Sequence, residues 1–261
     1  MKDTINNRWI DLAENIGKST GAFCNTVPDA HPYILVTWTD NMRSVLLLSH
    51  EMGHGGHGVL AQRYQRLSNV RGSMFFTEAP SIINEILVGD YIAAQTGDKR
   101  MRCWLKMQFL MTYHHNFVRH LIEGDLQRRL YVLAEKGHPI TASVLSKVQG
   151  EILEEFWGDE VEIDEGARLT WMRQPHFYMG LYPYSYSPGL VIGTAVAKMI
   201  REEGGKVVDT WLEVLKTGGA KPPLELAKMA GVDMTDPAVI RTAVEYVGSL
   251  VDDIVAFFSE Q

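Results

Sequence analysis

The chain has 261 residues, 46% hydrophobic and 22% charged, with 23 glycines and 10 prolines. That is the composition of an ordinary globular protein long enough to bury a core without disulfides or a structural metal, and it excludes fibrous and disordered classes. The net charge is -7 and lysine and arginine are scattered, which excludes the electrostatic footprint of a nucleic-acid binder. No run approaches the roughly 18 uncharged apolar residues of a membrane span. Two cysteines, Cys24 and Cys103, are too few for a disulfide framework, and the opening MKDTINNRWIDLAENIG is polar where a signal peptide is apolar. We therefore expect a cytoplasmic protein with neither nucleic-acid nor membrane partners.

In chain order, a short helix is expected near residues 4–16, then two strand-like segments, Thr20 to Cys24 and Pro32 to Trp38, able to pair as a hairpin. From Asp40 the pattern turns helical. Val45, Leu48, Met52 and Val59 recur at helical spacing, Leu60 and Tyr64 extend the face, and Asp40 or Asn41 is the N-cap. After a loop at 68–76, a second helix is expected to hold Glu78, Ala79 and Pro80 in its first turn, where a proline's missing N–H is harmless, and to run to Gln95. Helical segments follow near 99–136 and 139–157, then an acidic turn at Gly158-Asp159-Glu160 and a shorter helix before Gln174.

Residues 174–189 break the pattern with Pro175, Pro183, Pro188 and four tyrosines, after which helices resume and stop at Gly204-Gly205 and Gly218-Gly219. The final helix has Thr235 or Asp236 as cap and Pro237 in its first turn. It places Ile240, Ala243, Val244, Val247, Leu250, Val251, Ile254 and Phe258 on one face. The expected fold is mainly α with a small β-hairpin near the N-terminus, in a single domain over residues 1–261.

The first long helix carries His50-Glu51-Met52-Gly53-His54. Residues four apart sit one above the other on a helix, so His50 and His54 can direct ring nitrogens at one metal ion about 2 Å from each. Glu51, one step round, falls outside the ligand set but within reach of a water on the ion, where a general base belongs. Gly53, Gly55 and Gly56 each cost up to ~1 kcal/mol relative to alanine inside a helix, so they imply close approach by another backbone or side chain. Glu78, opening the next helix, can return as a third, anionic ligand and complete a two-histidine, one-glutamate zinc set. Glu85 and Ser81 lie on the same face of that helix as Glu78 and are placed to orient a ligand, or to form a solvated face.

The segments GKSTGAFC and HPYILVTW, SHEMGHGGH, FTEAPSIINEILV, WMRQPHFYMGLYPYSYSPG and ELAKMAGVDMTDP together resemble oligoendopeptidase F and, more distantly, thimet oligopeptidase. These are helical, zincin-like metallopeptidases that cleave short peptides. The resemblance implies a zinc-dependent metalloendopeptidase acting on oligopeptides, with one zinc ion held by His50, His54 and Glu78 and with Glu51 as the base. By the same resemblance His176 and Tyr186 in the tyrosine-rich loop contact substrate and the developing oxyanion, and Tyr178 binds substrate. Tyr182 and Tyr184 are read as half-buried amphipathic side chains. His31, His114, His115, His120 and His138 are set aside as structural or exposed.

Pro188 and Met179 depart from the family's loop pattern, and by its length the chain resembles the family's catalytic half alone. A helical zinc carboxypeptidase is the alternative within enzymes. The alternative from another class is a zinc-binding half that works only with a separate N-terminal half or as a homo-oligomer.

Overall fold

The structure, a computed structural model, describes residues 2–173 and 175–260. Helix α1 (Lys2–Asn6) is followed by strands β1 (Ile10–Asp11), β2 (Ala22–Thr26) and β3 (Pro32–Val36), paired in the order β1-β3-β2. The expected hairpin is present: β2 runs antiparallel to β3 with Cys24 opposite Ile34. The expected helix over 4–16 is cut short at Asn6. Arg8 adopts a left-handed φ of 58° and Ile10 and Asp11 pair in parallel with β3, so sheet formation overrides the local preference for helix.

Nine further helices carry most of the remaining described chain: α2 (Met42–Tyr64), α3 (Met74–Gln95), α4 (Lys99–Tyr113), α5 (His120–Glu135), α6 (Ala142–Trp157), α8 (Tyr186–Glu203), α9 (Gly205–Thr217), α10 (Pro223–Met229) and α11 (Pro237–Ser259), with the single-turn α7 (Glu165–Arg168) between α6 and α8. Asn41 caps α2 by accepting from the Ser44 N–H, and Asp236 caps α11 by accepting from the Ala238 N–H, both as the sequence indicates. Helix α3 begins earlier than expected, with Ser73 as its cap, so Pro80 lies inside the helix rather than in its first turn. The expected segment 99–136 is interrupted by a π-helical turn at His114–Arg119. Gln174 lies outside the described residues.

Two compact units result, Met1–Thr112 with Pro188–Gln261, and Tyr113–Ser187. In the first, α2 packs on β2 and β3 and most extensively on α3. Phe76, Ala79 and Ile83 of α3 form its core with Ile192, Val196, Trp211, Val214 and Leu226. In the second, Ile122 and Leu126 of α5 pack against Val148 and Ile152 of α6 and against Phe177.

The apolar residues of α11 behave differently from expectation: Ala243 and Leu250 are buried, but Ile240, Val244, Val251 and Phe258 are exposed. Adjacent pairs such as Ala243-Val244 and Leu250-Val251 stand about 100° apart on a helix, so they form two stripes, and only one faces the core. Among the described residues no helix is long and apolar enough to cross a membrane.

Candidate active site

Helix α2 places His50, Glu51 and His54 at its middle, and α3 brings Glu78 against them. The approach depends on Gly53, where a Cβ would stand 2.5 Å from the Pro80 carbonyl oxygen and 2.6 Å from the Ser81 Cα. No side chain fits there, which explains a glycine that costs helix stability. Behind Glu78 the first turn of α8 comes equally close, since a Cβ on Gly189 would meet the Glu78 Cβ at 2.6 Å. Glu78 is thus clamped between two backbones and buried at 7% exposure.

His50 Nε2 lies 3.2 Å and His54 Nε2 3.4 Å from Glu78 Oε2. Donors held tetrahedrally around a zinc ion at about 2.0–2.2 Å stand ~3.3–3.6 Å apart, so both nitrogen–oxygen distances are close to those such an ion requires. Among the described residues these three form the single histidine, cysteine and carboxylate group able to hold a metal. The other nitrogen of His50, Nδ1, meets Glu85 Oε2 at 3.3 Å, and Glu85 Oε1 in turn accepts from the Thr112 hydroxyl at 2.6 Å. A carboxylate on Nδ1 would fix the ring with Nε2 turned toward a metal held between the three groups. Ser81 donates to Glu78 Oε2 at 3.2 Å and orients the third donor in the same way.

The electrostatics of these side chains follow from burial and crowding. Burial opposes a charged His50, but its hydrogen bonds to Glu78 and Glu85 prevail and raise its pKa well above 6.5. Burial likewise opposes a charged Glu78, yet His54 and His50 pull its pKa well below 4.5. A proton on His50 therefore supplies part of the charge balance that a divalent cation would supply. Glu51, buried at 5% exposure, has its pKa raised chiefly by desolvation, against the pull of His50 and His54 and a hydrogen bond from the Cys24 N–H of β2. A carboxylate moved toward neutrality is a better proton acceptor at working pH. His57 extends the same helical face and is pushed down to about 4 by burial and by His54.

In the second unit, short 3-10 turns at Pro175–Tyr178 and Pro183–Ser185 shape the tyrosine-rich loop. The His176 ring stacks on Tyr182 with centroids 5.4 Å apart, and the Tyr182 and Tyr186 hydroxyls are 3.1 Å apart. His176 also meets the Tyr186 ring edge-on at 6.0 Å. Tyr178 points outward, 61% exposed, with its hydroxyl 3.4 Å from the Trp171 carbonyl.

Residues 1–246 match the sequence profile of peptidase family M3. The chain belongs to that family. Among relatives of the M3 chain, the oligopeptidase PepF of Bacillus subtilis is 31% identical over 97% of this chain and 38% of its own length. An oligoendopeptidase F homolog of Borreliella burgdorferi is 28% identical over 97% of this chain and 43% of its own. The crystal structure of oligoendopeptidase-F from Enterococcus faecium superposes with a TM-score of 0.72 at 27% identity, over 84% of this chain and 40% of that one. The M3 chain thus spans about two fifths of the length of the curated relatives it matches.

Of the sequence-derived site residues, the structure brings His50, Glu51, His54 and Glu78 together in the first unit and His176 with Tyr186 in the second. Tyr178 stands apart from the His176–Tyr186 pair, turned to the Trp171 carbonyl. Tyr182, expected only as a half-buried side chain, meets the Tyr186 hydroxyl with its own, and His120, expected to be structural or exposed, is buried and stacks on Tyr186 at 4.5 Å and 21°. Helical spacing gives no signal for either contact, because loop and helix meet only through tertiary packing. The one available hint is a histidine and a glutamate three apart on α5, His120 and Glu123.

Proposed function

We propose that this M3 chain is a zinc-dependent metalloendopeptidase that hydrolyses oligopeptides. The observation carrying the proposal is the convergence of His50, His54 and Glu78 at zinc-ligand spacing with a buried glutamate, Glu51, one residue along the same helix. When bound, zinc supplies Lewis acidity, which acidifies water and polarises a carbonyl. The protein's residues do the rest. Glu51 takes the proton of the attacking water and delivers it to the leaving amine nitrogen, so one carboxylate serves as base and then as acid. His50, oriented by Glu85, and Glu78, oriented by Ser81, hold the donor set rigid.

To Tyr186 and His176 we assign hydrogen bonding to the oxyanion of the tetrahedral intermediate, and to Tyr178 contact with substrate. The support is the family pattern of the loop and the chemistry of a neutral phenol, which donates a hydrogen bond without bringing charge. Cys24 and Cys103 stand as free thiols, in keeping with a reducing, cytoplasmic setting. A requirement for a partner, either a separate N-terminal half or a second copy, is favoured by the exposed stripe Ile240, Val244, Val251, Val255 and Phe258 on α11.

The test is hydrolysis of an internally quenched oligopeptide by the purified chain, alone and with an N-terminal half, with and without chelator, compared with Glu51→Gln. Chelator-sensitive internal cleavage that the variant lacks supports the proposal. Cleavage that persists in Glu51→Gln refutes it, and removal of single C-terminal residues replaces it with a carboxypeptidase.

A further inference from the structure

Helix α5 buries two different faces. One is apolar, with Ile122 and Leu126 against α6. The other is polar: His120, Glu123 and Gln127 are 1%, 7% and 4% exposed, and with Gly124 they fall at helical spacing on one side. Burying polar groups is unfavourable unless each is bonded, so three on one helix face call for partners. The partners lie within the second unit: the Gln127 amide N–H groups reach the tyrosine-rich loop, while Glu123 pairs with His120 and Arg119 beside it.

The Gln127 amide donates to the Phe177 carbonyl at 2.7 Å and also to the Gly180 carbonyl. Gly124 seats Tyr184, since a Cβ at 124 would come within 3.1 Å of the Tyr184 Cβ. The Ser187 hydroxyl donates to the Asn116 carbonyl, in the π-helical turn just ahead of α5, at 2.7 Å. The remaining station is His120, whose imidazole lies face to face with the Tyr186 ring. Its Nδ1 donates to Glu123 Oε2 at 2.8 Å, and Glu123 Oε1 stands 3.6 Å from Arg119 Nε.

We propose that His120, locked by Glu123, is a positioning residue for the Tyr186 hydroxyl, with the buried polar face of α5 serving as the bed on which the loop is shaped; the catalytic consequence rests on the role assigned above to Tyr186. A stacked ring alone sets the tilt of the phenol but can spin about its own axis. The bond from Nδ1 to a carboxylate, itself bracketed by Arg119, removes that freedom, so the plane against which Tyr186 lies is fixed. A hydroxyl that must meet an oxyanion at 2.7–3.1 Å depends on such support, because displacement of about 1 Å costs on the order of 10²-fold in rate.

The experiment uses the full chain loaded with zinc. It measures kcat and KM on an internally quenched oligopeptide for Tyr186→Phe, His120→Ala, His120→Phe, Glu123→Gln and the His120→Ala/Tyr186→Phe double variant. His120→Ala is expected to lower kcat by about 10-fold or more with KM within about twofold. His120→Phe, which keeps the flat ring, is expected to recover part of that loss, and the double variant to be no slower than Tyr186→Phe alone. An equal cost of His120→Ala with and without the Tyr186 hydroxyl overturns the proposal.

Should His120→Ala not fold, Glu123→Gln preserves shape and ring and is expected to lower kcat by about threefold or more with unchanged KM; an unchanged kcat overturns the proposal. A readout independent of turnover is the set of Tyr186 ring-proton resonances, identified by their loss in Tyr186→Phe. They shift when the imidazole is removed if the stack exists in solution, and their staying in place overturns the proposal. If the zinc-loaded chain cleaves no peptide either alone or with an N-terminal half, the peptidase reading fails, and the ring resonances alone decide whether His120 is stacked on Tyr186.

Discussion

In the first unit, His50, Glu51 and His54 occupy one 23-residue helix and Glu78 a second of 22 residues, so their geometry is set by the helical period and by a single crossing. In the second unit, His176, Tyr182 and Tyr186 sit in or beside 3-10 turns of three or four residues, and their geometry is set by contacts with α5. Both clusters are built from histidine and an oxygen-bearing partner. Periodic backbone makes the first a local property of two helices, whereas the second leans on a more distant helix, which seats Tyr184 and stacks on Tyr186. Substitutions in the first region should therefore act on metal binding and proton transfer directly, and those in the second through position.

The largest expected effect is loss of a ligand. Glu78→Ala should abolish zinc binding and with it all hydrolysis, read by metal analysis and peptide assay; a variant that keeps its zinc would show that the two helices do not form the site. Glu51→Gln should follow, keeping the metal but lowering kcat by roughly 10²–10⁴-fold. Tyr186→Phe, in the second region, should cost about 10²–10³-fold in kcat if its hydroxyl meets the oxyanion. A Tyr186→Phe effect confined to KM would move that residue from catalysis to substrate binding.

A smaller change is expected at Glu85. Glu85→Ala frees His50 Nδ1 and should weaken zinc affinity by about 10–100-fold without removing the site, as measured by competition with a chelator. An unchanged affinity would leave Glu85 as packing alone.

The smallest effect is on stability and depends on pH. In the ion-free protein His50 has a raised pKa, so its contribution is complete below 6.5 and lost as pH climbs through the raised value. Glu78 has a lowered pKa, so its contribution is present above 4.5 and lost as pH falls through the depressed value. Chelator-treated protein should melt highest between those two pH values. Zinc affinity should instead rise with pH, because the metal displaces the proton from His50. Parallel pH trends for melting and for zinc affinity would contradict the pairing described for the ion-free site.

How much could be read in advance follows the same division. The cap sites, narrowed by the sequence to Asp40 or Asn41 and to Thr235 or Asp236, and the β2–β3 hairpin follow from capping and β-branched content, which act within a few residues; the approach of Glu78 to α2 follows from the metal-ligand pattern instead. Gly53, Gly55 and Gly56 all point to close approach, but only Gly53 has it, from Pro80 and Ser81; at Gly55 the neighbours Pro32 and Cys24 stand at ordinary contact distance, and nothing lies within 4 Å of a Cβ at Gly56. Pro80 inside α3, the π-helical turn at His114–Arg119 and the early end of α1 were not readable, because each is settled by tertiary packing against local preference. The partnership of His120 with Tyr186 was hidden for the same reason: residues 66 positions apart carry no shared period.

The central claim is that two helices hold three donors around one cation. Elemental analysis of the purified chain beside His54→Ala and Glu78→Ala tests it most directly. One equivalent of zinc is expected in the native chain and almost none in either folded variant. A native chain that binds no divalent metal, or variants that retain a full equivalent, would contradict it.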